Sequence, residues 1–261
     1  MPNPFQAYYS QRLKNLFNGL HDFNLNGDEA SLHDFRVEMK KLRAVIKFLR
    51  TIYPIQKLKK AGQKLRAIFQ EAGEIREYQL LQQWMAKNEL ASFDQHYLPQ
   101  SKLLDLTHQF RKRTSCTKQL LKEMVDEVGK YVDATNQVLA EKYVVDLHAQ
   151  IEKMINGQPG TPDWHELRKL IKQWIHAINW VKAEDNRTEN DLSFYNKMQE
   201  AIGRWHDAEM IRDTLYQKQI YLSQDMEVQK DFTKASNKIN QSIRYREKQV
   251  GEMLRKTRAV T

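Results

Sequence analysis

Cationic side chains recur at helical spacing in one early segment of the chain. Arg36, Lys40, Arg43 and Lys47 follow His33 at intervals of three or four residues, so the five side chains share one face of a helix. Arginine can donate two parallel hydrogen bonds to phosphate oxygens, and lysine supplies a mobile point charge. We call these five residues the first cationic face, and its chemistry is the binding of anions.

The first cationic face contains no acidic residue. A solvated helix usually mixes charge signs, with Glu and Lys four residues apart, because a row of like charges repels itself. A neighbouring face of the same helix is apolar, which allows the helix to pack on a core while the cations stay accessible. We therefore predict that the counter-charge comes from a bound polyanion, with a plain solvated basic face as the alternative.

The excess positive charge of the whole chain lies around this face. The 261 residues carry 42 Lys or Arg and 33 Asp or Glu, for a net charge of +9. Residues 33–66 contain eleven Lys or Arg against only Asp34 and Glu38, so the rest of the chain is neutral. Such a concentrated field attracts polyanions.

Two segments of the chain recur. His33–Lys40 reappears as His165–Lys172 with an offset of 132 residues, and Gln70–Glu77 reappears as Glu200–Asp207 with an offset of 130. In the second copy His165, Arg168, Lys172 and His176 take the helical positions of the first cationic face, and we call them the second cationic face. We predict one domain over residues 1–261, with repeats at about 4–131 and 136–261.

The spacing of apolar residues is helical nearly throughout, and no strand-like alternation is evident. Nine Gly and six Pro among 261 residues leave few turns, which favours long helices. The sequence predicts an all-α fold with four helices per repeat. The predicted helices cover about 4–20, 29–52, 55–87, 100–130, 136–155, 163–185, 188–222 and 225–258.

The pattern His-x2-Arg-x3-Lys-Lys-Leu-Arg, followed roughly 40 residues later by Gly-x2-Arg-(Asp/Glu) and duplicated, resembles the CHAD domain, the conserved histidine α-helical domain. The resemblance covers essentially the whole chain. It implies two pseudo-twofold-related four-helix bundles with a basic channel between them, and binding of inorganic polyphosphate without an established catalytic activity. Family roles carry over onto His33, Arg36, Lys40, Lys41, Arg43, His165, Arg168 and Lys172.

In its His helix, the second copy departs from the family pattern at three positions. Gln173, Trp174 and Ile175 stand where the first copy has Lys41, Leu42 and Arg43. Whether the second repeat binds as strongly as the first is therefore open.

Other charged residues form a second tier of predictions. Glu77 and Asp207 follow the repeated glycines by four residues, and we predict that they orient a cation of the neighbouring face. Further basic residues could extend the binding surface, with a solvated face as the alternative for each: Lys57, Lys60, Lys64, Arg111, Lys118, Lys234 and Lys238.

The sequence predicts no catalytic residue, metal site or cofactor. No carboxylate or second histidine follows His33 at three or four residues, as a helical metal site would need. His206-Asp207 is similar to the HD pair of metal phosphohydrolases, and a metal-dependent phosphohydrolase or triphosphatase is one alternative function. The Glu-x-Glu-x-Lys pattern of triphosphatase tunnel domains is absent, which disfavours that alternative.

The remaining predictions concern partners and cellular location. The partner expected is inorganic polyphosphate or another phosphate-rich polyanion. Nucleic acid is a less favoured alternative, since the first cationic face carries no aromatic residue on which bases could stack. The start of the chain lacks the apolar stretch of a signal peptide, no segment approaches 18 apolar residues, and Cys116 is the single cysteine. We therefore predict a cytoplasmic protein that associates with no membrane, and polyphosphate granules are one location consistent with the predicted ligand.

Overall fold

The computed structural model describes residues 3–88, 100–156, 163–181, 186–219 and 226–258. Every regular element in these ranges is an α-helix, which confirms the all-α prediction. The helices in chain order are α1 (Pro4–Asn26), α2 (Glu29–Ile52), α3 (Gln56–Lys87), α4 (Gln100–Lys112), α5 (Thr114–Asp133), α6 (Gln137–Asn156), α7 (Trp164–Val181), α8 (Asn186–Gln219) and α9 (Met226–Arg258).

Local sequence signals explain where the helices begin and end. Asp28 caps α2, because its carboxylate accepts a hydrogen bond from the backbone N–H of Ser31 (2.7 Å). Asp163 caps α7 in the same way through the N–H groups of His165 and Glu166. Gly27 ends α1 in the left-handed conformation (φ 67°), which glycine adopts without steric cost.

Two helix limits differ from the sequence prediction. α1 runs to Asn26 rather than to about residue 20, and its last turns bury Phe23. The helix predicted over 100–130 is two helices, α4 and α5, separated at Arg113. The N–H of Arg113 bonds to the carbonyl of Phe110, a tightened turn with φ −94° and ψ 5°. The break contains neither Gly nor Pro, so the sequence carries no breaker signal there.

The helices form two compact units. The first contains α1, α2, α3 up to Gln82, α4, α5, the start of α6 up to Tyr143 and the end of α7 from His176. The second contains the end of α3, the rest of α6, α7 up to Ile175, α8 and α9. Each unit is built on a pair of closely packed helices, α1 with α2 in the first and α8 with α9 in the second.

The apolar face of α2 forms much of the core of the first unit. Its side chains are nearly or completely inaccessible to solvent, as their spacing predicts: Phe35, Met39, Leu42, Ile46 and Leu49. In the second unit Leu167, Ile171 and Trp174 of α7 are buried at the corresponding helical positions. Burial of these faces fixes the rotation of α2 and α7, and therefore the direction in which each cationic face points.

Candidate functional site

Three cations of the first cationic face surround one aromatic ring. The guanidinium carbons of Arg36 and Arg43 lie 4.3 and 4.9 Å from the ring centroid of Phe69, and the Lys40 ammonium lies 5.9 Å from it. Phe69 belongs to α3, which packs beside α2. Cation–π attraction therefore holds in one place three side chains that would otherwise repel one another.

Arg36 is the most deeply held of these cations. Its Nη1 donates to the carbonyl oxygen of Phe69 (3.0 Å) and lies only 3.0 Å from the position that a Cβ would occupy on Gly73. Burial lowers the pKa of Arg36 to about 10; nearby Glu77 opposes this shift, whereas Arg76 and Arg43 add to it. The group remains charged at neutral pH, and its carboxylate neighbour is the Glu77 predicted from the sequence.

His33 and Arg43 of the first cationic face are exposed, but part of each side chain lies against the protein. Partial burial lowers the pKa of His33, and the charges of Arg76 and Lys40 lower it further. Arg43 has its pKa lowered by burial of the guanidinium and by Arg66. Burial is the larger cause of both shifts, and nearby positive charge is the smaller one, which an anion bound here would offset.

Lys41 lies on another side of α2. Its ammonium group contacts the Glu38 carboxylate at 2.7 Å, and Arg12 of α1 contacts the same oxygen at 3.1 Å. Glu38 is only 7% exposed, so these two cations compensate a buried negative charge. The structure thus places Lys41 in an ion-pair network between α1 and α2, whereas the family resemblance assigns it to the binding site.

Arg168 of the second cationic face, on α7, contacts α8 in the way that Arg36 contacts α3. Arg168 Nε donates to the carbonyl of Gln199 (3.4 Å), and its Nη2 lies 2.9 Å from where a Cβ of Gly203 would be. Phe69 and Gln199, like Gly73 and Gly203, correspond at an offset of 130 residues. Both copies of the motif therefore hold an arginine against a helical glycine and the carbonyl four residues before it.

Lys172 and Asp207 lie beside Arg168. Burial and the charge of Arg168 lower the pKa of Lys172 to about 8, and Asp207 opposes the shift. Asp207 also favours the charged forms of Arg168 and Arg246. The exposed Asp207 carboxylate thus acts electrostatically on three cations. The orienting role of Asp207 stays a prediction.

Two further arginines come together near Asp207. Arg204 of α8 and Arg246 of α9 line a small pocket with Trp84 and Asp207. Burial and the charge of Arg204 lower the pKa of Arg246, whose Nε donates to the hydroxyl of Ser242 (3.0 Å). Sequence reasoning missed this pair, because Arg204 and Arg246 are far apart in the chain and α9 shows mixed charges.

The histidines of the two faces have different surroundings. His165 Nε2 lies 3.7 Å from a carboxylate oxygen of Glu209, and its ring is perpendicular to that of His206 at a centroid distance of 4.7 Å. His176 is half-buried on α7, at the point where that helix enters the first unit. Lys47 is exposed on α2.

The second-tier residues divide into ion-paired, capping and exposed groups. Lys57 and Lys64 lie near Glu127 (3.8 Å) and Glu123 (3.0 Å) of α5. Arg111 donates to the carbonyls of Asn24 (2.9 Å) and Leu25 (3.1 Å) at the end of α1, and Lys238 donates to the carbonyl of Asn88 (3.2 Å) after α3. The side chains that remain exposed are Lys60, Lys118 and Lys234.

Arg111 and Lys238 therefore have contacts that explain them without a ligand. Each satisfies carbonyl groups at or beyond the C-terminal end of a helix, where unpaired carbonyls carry partial negative charge. Ion pairs on the protein surface contribute little to stability. Lys57 and Lys64 can therefore exchange their carboxylate partners for a bound anion with little loss of stability.

Comparison with known proteins gives two findings. The family model described as CHAD domain matches residues 11–216. The crystal structure of the CHAD domain from the plant Ricinus communis is similar to this chain with a TM-score of 0.66 and 16% sequence identity, over 97% of this chain and 90% of the plant chain. Among curated proteins, no significant sequence match is found.

Within the described residues, no helix is long and apolar enough to cross a membrane.

Proposed function

The chain belongs to the CHAD domain family, and we propose that it binds inorganic polyphosphate through its two cationic faces without hydrolysing it. Polyphosphate is a flexible chain with about one negative charge per phosphate and no bases to read. Its recognition needs rows of cations rather than a pattern of donors and acceptors.

The observation that carries this proposal is the arrangement of Arg36, Lys40 and Arg43 around Phe69. Three cations held around one ring form a preorganised row. Binding of a polyanion therefore does not have to bear the cost of bringing these mutually repelling side chains together. Burial and, to a smaller extent, neighbouring cations lower the pKa of Arg36 and Arg43. The negative charge of a bound phosphate chain would offset the repulsion between these cations.

The same arrangement favours polyphosphate over single-stranded nucleic acid. Nucleic-acid binders of this kind stack bases on aromatic rings that stand free beside the cations. Phe69 is already approached by two guanidinium groups, at 4.3 and 4.9 Å, so the ring is engaged with cations of the protein rather than free for a base. Competition between long-chain polyphosphate and RNA at one stated salt concentration separates the two ligands.

Charge reversal tests the proposal directly. Replacing Arg36, Lys40 and Arg43 by Glu should abolish polyphosphate binding measured by a biosensor, while circular dichroism shows the helical content to be retained. Replacing the exposed Lys14, Lys102 and Lys142 by Glu changes the net charge equally and should weaken binding only slightly. Equal losses in the two triple variants would show that net charge alone, rather than the first cationic face, attracts the ligand.

The absence of hydrolysis is tested separately. Incubation with polyphosphate, tripolyphosphate or ATP and Mg²⁺ or Mn²⁺ should release no phosphate above the background of a heat-denatured sample. Release that disappears in Asp207→Ala or His206→Ala would show that the protein is a phosphohydrolase.

A further inference from the structure

Three side chains with metal-binding atoms meet in the second unit. His165 of α7 and His206 and Glu209 of α8 place one ligand atom each within 4.8 Å of one another. His206 and Glu209 are three residues apart, so they lie on one side of α8. The sequence analysis noted His206 only as part of an HD-like pair with Asp207 and did not connect it with His165 and Glu209, because these ligands come from two helices.

One nitrogen of this cluster lacks a hydrogen-bond partner within the part of the chain that the structure describes, and the carboxylate is held from outside the cluster. Nδ1 of His206 is buried and has no hydrogen-bond partner among the described residues. Glu209 is held by Arg212, whose Nη2 lies 3.4 Å from Oε1, and the other oxygen of Glu209 faces His165 at 3.7 Å. A carboxylate oriented from outside and an unpartnered imidazole nitrogen are typical of metal ligands.

The first copy of the motif has a cation at the equivalent place. At the repeat offsets of 132 and 130 residues, His165, His206 and Glu209 correspond to His33, Arg76 and Gln79. The Arg76 guanidinium pairs with Glu29 of α2 and lies 3.5 Å from the Gln79 side-chain oxygen. In the second copy, an imidazole replaces the guanidinium and a carboxylate replaces the amide. The second copy thus has no arginine at this position and instead has groups that can ligate a metal cation, while Arg212 contacts the other oxygen of Glu209.

We propose that His165, His206 and Glu209 form a zinc site. Two imidazoles and one carboxylate are a common ligand set for Zn²⁺, and three protein ligands leave a position open for water or another oxygen donor. Zinc–ligand bonds of about 2.0–2.2 Å require the ligand atoms to approach one another by roughly 1 Å. The side chain of His165 is 48% exposed, which leaves it room for this movement, although its ring also contacts that of Trp205 at a centroid distance of 5.1 Å.

The zinc site shares His165 with the second cationic face, but it is proposed from its own ligand atoms and does not rest on polyphosphate binding. Its test uses Zn²⁺ alone, without any polyanion, because polyphosphate itself chelates divalent metals. Failure of one proposal therefore leaves the other unaffected.

Isothermal titration of the whole protein with Zn²⁺ should show one tight site per chain. His206→Arg introduces the residue found at the equivalent position of the first copy, so it keeps a polar cation on α8 while removing a ligand. We expect this variant to lose at least tenfold in zinc affinity, whereas His21→Gln, which removes an exposed histidine of α1, should keep the site. No tight zinc uptake by the wild type, or equal affinity in His206→Arg, would overturn the proposal.

Spectroscopy identifies the ligands independently of affinity. Cobalt(II) substituted into the site should give the visible absorption of a four- or five-coordinate ion, and Glu209→Gln should change that spectrum and weaken binding at least tenfold. An unchanged cobalt spectrum in Glu209→Gln would exclude Glu209 and with it the three-ligand site. A thermal unfolding curve for each variant shows whether the fold survives the substitution.

Discussion

An arginine packed against a helical glycine is the residue-scale feature that both copies of the motif share. The Arg36 and Arg168 guanidinium groups occupy the space that a side chain at Gly73 or Gly203 would fill. Glycine inside a helix costs about 1 kcal/mol relative to alanine. The contacts of the two arginines account for glycine at these positions. Without a methyl group there, each arginine can donate to a backbone carbonyl while its guanidinium stays on its cationic face.

Alanine at these glycines should separate stability from binding. Gly73→Ala and Gly203→Ala gain helix propensity but push the arginine away from its carbonyl, so stability should change little. Polyphosphate affinity should fall by roughly threefold to tenfold, the equivalent of about one lost hydrogen bond. Gly129→Ala is the matched control, since a Cβ there meets nothing within 4 Å; it should stabilise the protein by up to about 1 kcal/mol and leave binding unchanged. An unaltered affinity in all three variants would argue against the placement of the arginines.

Lys172 makes polyphosphate binding sensitive to pH. Its pKa of about 8 lies below the usual 10.5 because of burial and the facing Arg168, with Asp207 acting in the opposite direction. A bound anion favours the charged lysine, so affinity should decrease as the pH rises through about 8. Between pH 7 and pH 9 we expect a loss of up to about tenfold in binding measurements. Lys172→Arg keeps its charge over this range and should show a flatter profile. An identical profile in both proteins would exclude Lys172 as the titrating group.

The lowered pKa of Lys172 also makes the free energy of unfolding depend on pH. The unfolded chain keeps the Lys172 proton up to about pH 10.5, whereas the folded protein loses it near pH 8. The contribution of Lys172 to the free energy of unfolding therefore increases between about pH 8 and pH 10.5, and its destabilising effect is complete below pH 8. Comparison of Lys172→Met with the wild type should show the largest gain in stability at neutral pH and a smaller gain at pH 10.

Residues on one helix were predictable from the sequence, whereas contacts between helices were not. The spacing of Arg36, Lys40 and Arg43 alone placed them on one face, next to an apolar face that the structure buries. Phe69, which those cations surround, is on α3, and no periodicity connects it with α2. Glu38 looked like one of two acids in a basic segment, but it is buried between Arg12 and Lys41.

At the scale of elements, long helices followed from the scarcity of Gly and Pro. The structure shows Asp28 and Asp163 capping the starts of α2 and α7. The end of α1 was predicted about six residues too early, because the helix continues without a stop until Gly27 ends it in the left-handed conformation. The break between α4 and α5 did not, since it depends on the tightened turn at Arg113. The internal duplication stays a prediction, supported by the matching arginine–glycine contacts of the two copies.

Arg111 illustrates how one element stabilises another. Its guanidinium donates two hydrogen bonds to the last carbonyls of α1, where the partial negative charge of the helix end favours a cation. Arg111→Ala should lower stability by about 1–2 kcal/mol and leave polyphosphate affinity nearly unchanged. Lys118→Ala, on an exposed side chain of α5, is the control for loss of a cation and should change stability little. A large loss of affinity in Arg111→Ala would return Arg111 to the binding surface.

At the scale of the whole molecule, positive charge is concentrated in residues 33–66 while the rest of the chain is neutral. The cations of α2 lower the pKa values of their neighbours, which means that the folded protein tolerates repulsion in the absence of a ligand. A polyanion that binds only the folded state should therefore stabilise the protein more than its contact area suggests.

Thermal unfolding with phosphate ligands of different lengths measures this coupling. A ligand present at a hundred times its Kd stabilises the folded state by about 2.7 kcal/mol. Each kcal/mol moves the Tm of a domain of this size by roughly 2–4 °C, so saturating long-chain polyphosphate should raise Tm by about 5–10 °C. Orthophosphate at equal phosphorus should raise it much less, because it cannot contact several cations at once. Equal Tm shifts with both ligands would show that single phosphate ions fill separate sites. That result would exclude the binding of one polyphosphate chain to several cations of α2 at once.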